Sequence, residues 1–154
     1  MGIQNDGSLW ACGKNTSRQF GNETKISSSE PVRVGSDNDW AMISTEGITG
    51  SFAIKKDGIL WGWGTRTLRE LGINEPRISR DTIIKPLQIG TYSDWSDISA
   101  GDFHRLAIKK DGTLWIWGKS LGPGEDKRIP TPTQIGAEND WVKIDAGLYM
   151  SVAI

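Results

Sequence analysis

Histidine and cysteine are almost missing from this 154-residue chain, one of each, and both shortages narrow its chemistry. One thiol, Cys12, can form neither an intramolecular disulfide nor a thiolate metal cluster, and it leaves the redox compartment undetermined. There is no zinc-ligand spacing, and no glycine-rich phosphate loop leads into a helix, so neither metal nor cofactor is expected. Long apolar runs are also lacking, and the N-terminal Met1 to Gly7 has no basic stretch followed by an apolar one. The chain therefore reads as soluble, with no membrane partner and no export signal. Excess charge of either sign is absent too: 18 Lys and Arg stand against 19 Asp and Glu, for a net charge of -1. Nothing here attracts nucleic acid, so no nucleic-acid partner is expected.

Phenylalanine and tyrosine are scarce, three and two, whereas tryptophan reaches eight and glycine nineteen. Dispersed glycine implies many tight turns. The tryptophans follow from a repeat. Asp-Gly-x-Leu-Trp occurs at Asp6 to Trp10, Asp57 to Trp61 and Asp111 to Trp115. Pro-x-x-aliphatic-Gly occurs at Pro31 to Gly35, Pro86 to Gly90 and Pro132 to Gly136. A third phrase opens on Asp-Trp and closes on an aliphatic strand: Asp39-Trp40 to Ile54, Asp94-Trp95 to Ile108, and Asp140-Trp141 to Ile154. The repeats span approximately 1–50, 51–104 and 105–154.

Each repeat reads as four short strands, A to D. Strands are expected near Trp40 to Ser44, Phe52 to Lys55, Leu60 to Trp63, Trp95 to Ser99, Arg105 to Lys109, Leu114 to Trp117 and Trp141 to Ile144. Strand D is entered through Pro132, around Thr133 to Ile135. The Asp-Gly pairs mark the B–C hairpin, where glycine supplies positive φ. Four antiparallel strands recurring about every fifty residues describe β-propeller blades. The fold class is thus all-β, three four-stranded blades, one of them split between the two termini. Trp61 and Trp115 are expected to be mostly buried between blades, on one face of strand C with Trp63 and Trp117.

The phrases Ile98-Ser-Ala-Gly-Asp-Phe-His-Arg-Leu-Ala-Ile108 and Lys110-Asp-Gly-Thr-Leu-Trp-Ile-Trp-Gly118 resemble a regulator-of-chromosome-condensation repeat, and the resemblance covers essentially the whole chain. Departures include Cys12 in the slot of Trp63 and Trp117, Glu46 in that of Ala100, and Gly50 and Met150 in that of His104. The Gly-Gln-Leu-Gly turn usual after strand C survives only as Arg18 to Gly21 and Arg69 to Gly72. The resemblance implies a ring of typically seven blades and a role in interaction, since such proteins include nucleotide-exchange factors for small GTPases, enzyme inhibitors and light-sensing scaffolds. Fold alone does not choose among these.

For function, the expectation is a non-enzymatic module that binds a protein partner through loops on one face of the ring. The candidate contacts are the variable A–B loop pairs Ile48-Thr49, Asp102-Phe103 and Leu148-Tyr149. One alternative is that Phe103 and Tyr149 cap the blade core. Another is a structural self-assembling scaffold, or a fragment of a larger repeat protein; a glycosidase with carboxylates assembled across blades is a further reading. Because strands C and D stand alone at one end and A and B at the other, a homo-oligomer is expected, a dimer of six blades or a trimer of nine.

Overall fold

The computed structural model describes residues 1–45, 50–64, 71–73, 83–119 and 128–154. All regular structure in them is β, and no helix is long and apolar enough to cross a membrane. Two four-stranded antiparallel sheets form the middle. One holds β4 (Trp40–Thr45), β5 (Gly50–Lys55), β6 (Leu60–Gly64) and β7 (Ile83–Gln88). The other holds β8 (Trp95–Ala100), β9 (His104–Lys109), β10 (Leu114–Lys119) and β11 (Arg128–Ile135). In both, the strands pair in chain order, giving the A to D blade. Before them come β1 (Gly2–Ile3), β2 (Leu9–Gly13) and β3 (Ser28–Arg33); after them come β12 (Ile144–Ala146) and β13 (Ser151–Ala153). The chain thus builds two whole blades flanked by a B-end/C/D sheet and an A/B pair.

Strand D of the later blade begins at Arg128, ahead of both Pro130 and Pro132. These prolines are tolerated because β11 is the outermost strand, where a missing N–H breaks no ladder. The last strand A is regular only over Ile144–Ala146, not from Trp141 as expected. The Val142 and Lys143 N–H groups both converge on the Ile154 carbonyl, so the ladder starts after them.

The Asp-Gly phrase is explained by what its glycine touches. Gly7, Gly58 and Gly112 adopt φ of 82°, 82° and 79°. A Cβ on them would meet the carbonyl oxygens of Asn38, Ser93 and Asn139 at 2.1, 2.4 and 2.0 Å. Those carbonyls belong to the linker entering the next sheet, so only glycine allows the turn to press against it. From the same turn, the Gly7, Gly58 and Gly112 carbonyls accept the N–H of Trp40, Trp95 and Trp141. Each B–C turn therefore clasps the start of the following strand A.

Between blades lies the main apolar core, with a smaller cluster of Leu106, Ile108 and Leu114 under Trp141 and Ile144. Trp63, Trp95, Trp117, Phe52, Leu60 and Leu71 are fully buried in the main core or nearly so. Gly21 and Gly72 pass directly over the indoles of Trp63 and Trp117, where a Cβ would lie 2.6 and 2.9 Å from the indole. Trp61 and Trp115, expected to be mostly buried there, are only half-buried. They stand at the other end of strand C and pack instead on a lysine: Lys55 Nζ is 4.9 and 5.0 Å from the Trp40 and Trp61 ring centroids. Lys109 Nζ lies 3.3, 5.2 and 4.4 Å from those of Tyr92, Trp95 and Trp115. Carboxylates balance both ammonium groups: Asp37 and Asp39 at 2.8 and 3.1 Å from Lys55, Asp94 at 3.3 Å from Lys109. Burial opposes the charge on Lys55, yet its bonds to Asp37 and Asp39 prevail and raise its pKa.

Candidate functional site

Residues from two A–B loops meet at one end of the blades. Each loop closes on a short backbone bond, Gly101 N–H to the His104 carbonyl and Gly147 N–H to the Met150 carbonyl, both 2.9 Å. The loops press together so closely that a Cβ on Gly101 would lie 2.3 Å from the Gly147 carbonyl oxygen. Beneath them, Ser44 Oγ accepts the Ala100 N–H and Ser99 Oγ accepts the Ala146 N–H, stitching the three innermost strands in register.

This approach sets the Phe103 ring on that of Tyr149, centroids 5.3 Å apart and planes at 16°. Parallel stacking of this kind favours the arrangement beyond its buried area by about 0.5–1.5 kcal/mol. Phe103 and Asp102 are half-buried, whereas Leu148, Tyr149 and Met150 are exposed, Tyr149 by 67%. Of the expected loop residues, Phe103 and Tyr149 are thus brought into contact, and Asp102 and Leu148 are their chain neighbours in the two loops. Ile48 and Thr49 lie outside the described residues. Lys119, missed in the sequence, joins the patch: its N–H donates to the Phe103 carbonyl at 2.7 Å and its Nζ lies 6.0 Å from the Phe103 ring.

His104 anchors this platform from below. It is fully buried, with Nε2 2.6 Å from Ser151 Oγ on β13 of the next sheet. Burial, with the adjacent Arg105 charge, lowers its pKa to about 4, so the imidazole is neutral near pH 7. A buried neutral ring tied to a serine positions two loops.

Elsewhere the polar groups serve the turns. Asp6 accepts from the Ser8 N–H and hydroxyl, and Ser8 Oγ in turn accepts from Trp10 Nε1. Asp111, Thr113 and Trp115 repeat this relay. Hydrogen bonds from Ser8 and Thr113 lower the pKa of Asp6 and Asp111. The recurring aspartates of the Asp-Gly phrase are turn residues, as their register implies. A side cleft of about 740 Å³ between the first two sheets is lined by Glu23, Arg33, Asp37, Trp40, Trp61 and Lys85, whose charges cancel. Among the described residues no group of three His, Cys, Asp or Glu side chains could hold a metal ion.

Comparison with known proteins agrees with this geometry. The family model for the regulator of chromosome condensation (RCC1) repeat matches residues 6–45 and 95–120. Protein pim1 of Schizosaccharomyces pombe is 27% identical over 153 residues, covering 84% of this chain and 28% of its own length. Protein RCC1 of Candida albicans is 27% identical over 87 residues, covering 48% of this chain and 18% of its own. In structure, Prp20p from Saccharomyces cerevisiae superposes with a TM-score of 0.83 at 21% identity, over 98% of this chain and 40% of that one. The chain thus spans less than half the length of these relatives. Its blades are built like those of an RCC1-type propeller, and two stretches of the chain match the RCC1 repeat.

Proposed function

We propose that the chain is a non-enzymatic interaction module that binds a protein partner through the loops at one end of its blades. The carrying observation is the Phe103–Tyr149 stack, which joins two adjacent loops into one aromatic platform flanked by exposed Leu148 and Met150. Rigid aromatics at low entropic cost are what binding hot spots use. The structure of Prp20p is described with its binding to Gsp1p and histones, which supports a protein partner for a fold of this kind.

The test uses purified Gsp1p and histones as first probes, with affinity measured for Phe103→Ala, Tyr149→Ala and, as a distal control, Arg33→Ala. Loop variants should weaken binding about tenfold or more while the control binds as the parent does. Binding that survives both loop variants would move the site elsewhere.

A second reading, a self-assembling scaffold, is favoured by the exposed apolar residues in and around β12 and β13: Val142, Leu148, Tyr149, Met150, Val152 and Ile154. Apolar surface of this extent marks an interface. Mass by light scattering at micromolar concentration should exceed that of one chain.

A further inference from the structure

The two caged lysines mark junctions that are built alike and differ in what closes them. The tryptophan walls match: the ring centroids of Trp40 and Trp61 are 6.1 Å apart with planes at 81°, and those of Trp95 and Trp115 are 5.7 Å apart at 85°. The linkers leading into them match too, each turning at a glycine, Gly35 with φ 66° and Gly90 with φ 65°. Two residues further on, the later linker carries Tyr92 where the earlier one carries Asp37.

Tyr92 closes its junction with a ring, 5.8 Å from Trp95 at 90° and 5.4 Å from Trp115 at 56°, over the Lys109 ammonium. Edge-on and tilted contacts of this kind are the geometry that aromatic pairs prefer. Asp37 reaches Lys55 with a carboxylate at 2.8 Å and offers no ring to the indoles. What stands there instead is the cleft of about 740 Å³, lined by Asp37, Trp40 and Trp61, the counterparts of Tyr92, Trp95 and Trp115.

The cleft is preformed. Glu23 N–H donates to the Ile84 carbonyl at 3.0 Å, which ties its loop to β7, and Arg33 donates to the Ser36 carbonyl at 3.1 Å and to Asn38, which braces the linker. Its volume falls within the range of about 300–1,000 Å³ usual for ligand clefts. Arg33 and Lys85 balance Glu23 and Asp37 along the lining, so an uncharged ring is favoured over an ionic group that would give up its hydration without a net countercharge.

We propose that this cleft is a docking site for the tyrosine side chain of an extended segment of a partner protein, whose ring takes the position that Tyr92 takes in the next junction. The choice of a peptide over a free small aromatic rests on the reading of the chain as an interaction module. The site goes beyond that reading, for it shares no residue with the loop platform.

The test follows the indole N–H signals of the isotope-labelled chain by NMR during titration with the peptide acetyl-Gly-Ser-Tyr-Ser-Gly-amide, and with the same peptide carrying alanine for tyrosine. The tyrosine peptide should shift the Trp40 and Trp61 signals saturably through its ring current and leave that of Trp141 in place; the alanine peptide should shift neither. Asp37→Tyr, which supplies the cleft with the ring that the later junction already has, should abolish the response. Tyr92→Asp should open the equivalent cleft and bring the same response to Trp95 and Trp115, which keeps the proposal testable if Asp37→Tyr fails to fold. N-acetyl-tyrosinamide should shift the same signals only at higher concentration, and equal affinity for it would overturn the choice of a peptide. Alanine-peptide shifts as large as those from tyrosine, an unchanged response in Asp37→Tyr, or no gain at Trp95 and Trp115 in Tyr92→Asp would overturn the site. Such a failure leaves the loop reading standing, because Phe103→Ala and Tyr149→Ala probe residues outside the cleft.

Discussion

The blades β4–β7 and β8–β11 share one backbone plan and differ at matched positions around strands B and C. Indole N–H groups show the difference most clearly. Trp115 donates to Thr113 Oγ1 at 2.9 Å, whereas Trp61, with Ile59 in the threonine's place, has a buried indole N–H without an acceptor. Under the loops, Ser51 in one blade is Arg105 in the other, and Gly50 is His104. Both blades nevertheless keep the turn glycine, the caged lysine and the indole beneath the neighbouring turn. What is shared holds one blade to the next at the turns, and what varies changes the contacts between sheets near the loops, where Ser51 bonds to the Gln19 carbonyl, Arg105 lies over Phe52 and His104 bonds to Ser151.

The sharpest way to break the comparison is at strand C. Trp117→Ala removes a fully buried indole from the interblade core and should cost about 3–5 kcal/mol in denaturant unfolding. Trp115→Ala, two residues earlier but half-buried, should cost about 2 kcal/mol because only part of its area leaves water. Equal losses would mean that the two ends of the strand are equivalent.

A second effect, below that of Trp117→Ala, separates the blades by pH. His104 has its folded pKa lowered to about 4 against an ordinary 6.5. Between those values the unfolded chain binds the proton that the fold rejects, so stability falls as pH drops from about 6.5 to about 4 and levels off below. The loss should be about 3 kcal/mol, and His104→Gln should remove it. Because carboxylates titrate in the same range, the measurement is the difference between the two pH curves.

The smallest change should sharpen the likeness. Ile59→Thr restores the carboxylate–hydroxyl–indole relay to the first complete blade and should raise stability by about 1 kcal/mol, and Thr113→Ile should lower it by about 1–2 kcal/mol. Thermal melts of both variants check the pair; a melt unmoved by Thr113→Ile would show that the relay contributes nothing.

Much of this was legible in the chain because repetition places equivalent residues in equivalent surroundings. The Asp-Gly hairpins and the strands β4, β5, β6, β8, β9 and β10 follow the phrases to within two residues. Alternation put Trp61 and Trp63 on one face correctly, but periodicity of two is blind to which end of a strand lies over the neighbouring blade. Lys55 and Lys109 went unread as cage residues. Both directly precede the phrase leading into the Asp-Gly turn, and their recurrence beside the recurring Asp-Trp was the available signal. At the loops, the residue types of Phe103 and Tyr149 were legible. Their contact was not, since 46 positions separate them and only the packing of Gly101 against Gly147 brings them together.

The clasp between each Asp-Gly turn and the next linker has a consequence for how the array comes apart. Each clasp joins a sheet to its successor alone, so stability accumulates as a chain of nearest-neighbour couplings. Weakening one coupling, for example by placing a side chain on Gly112, should split the melt into stages, with the segment from Asn139 onward released first. By the same logic, whole repeats could be inserted or removed during the history of such a gene with each junction intact, whereas cutting within a repeat would strand half a sheet.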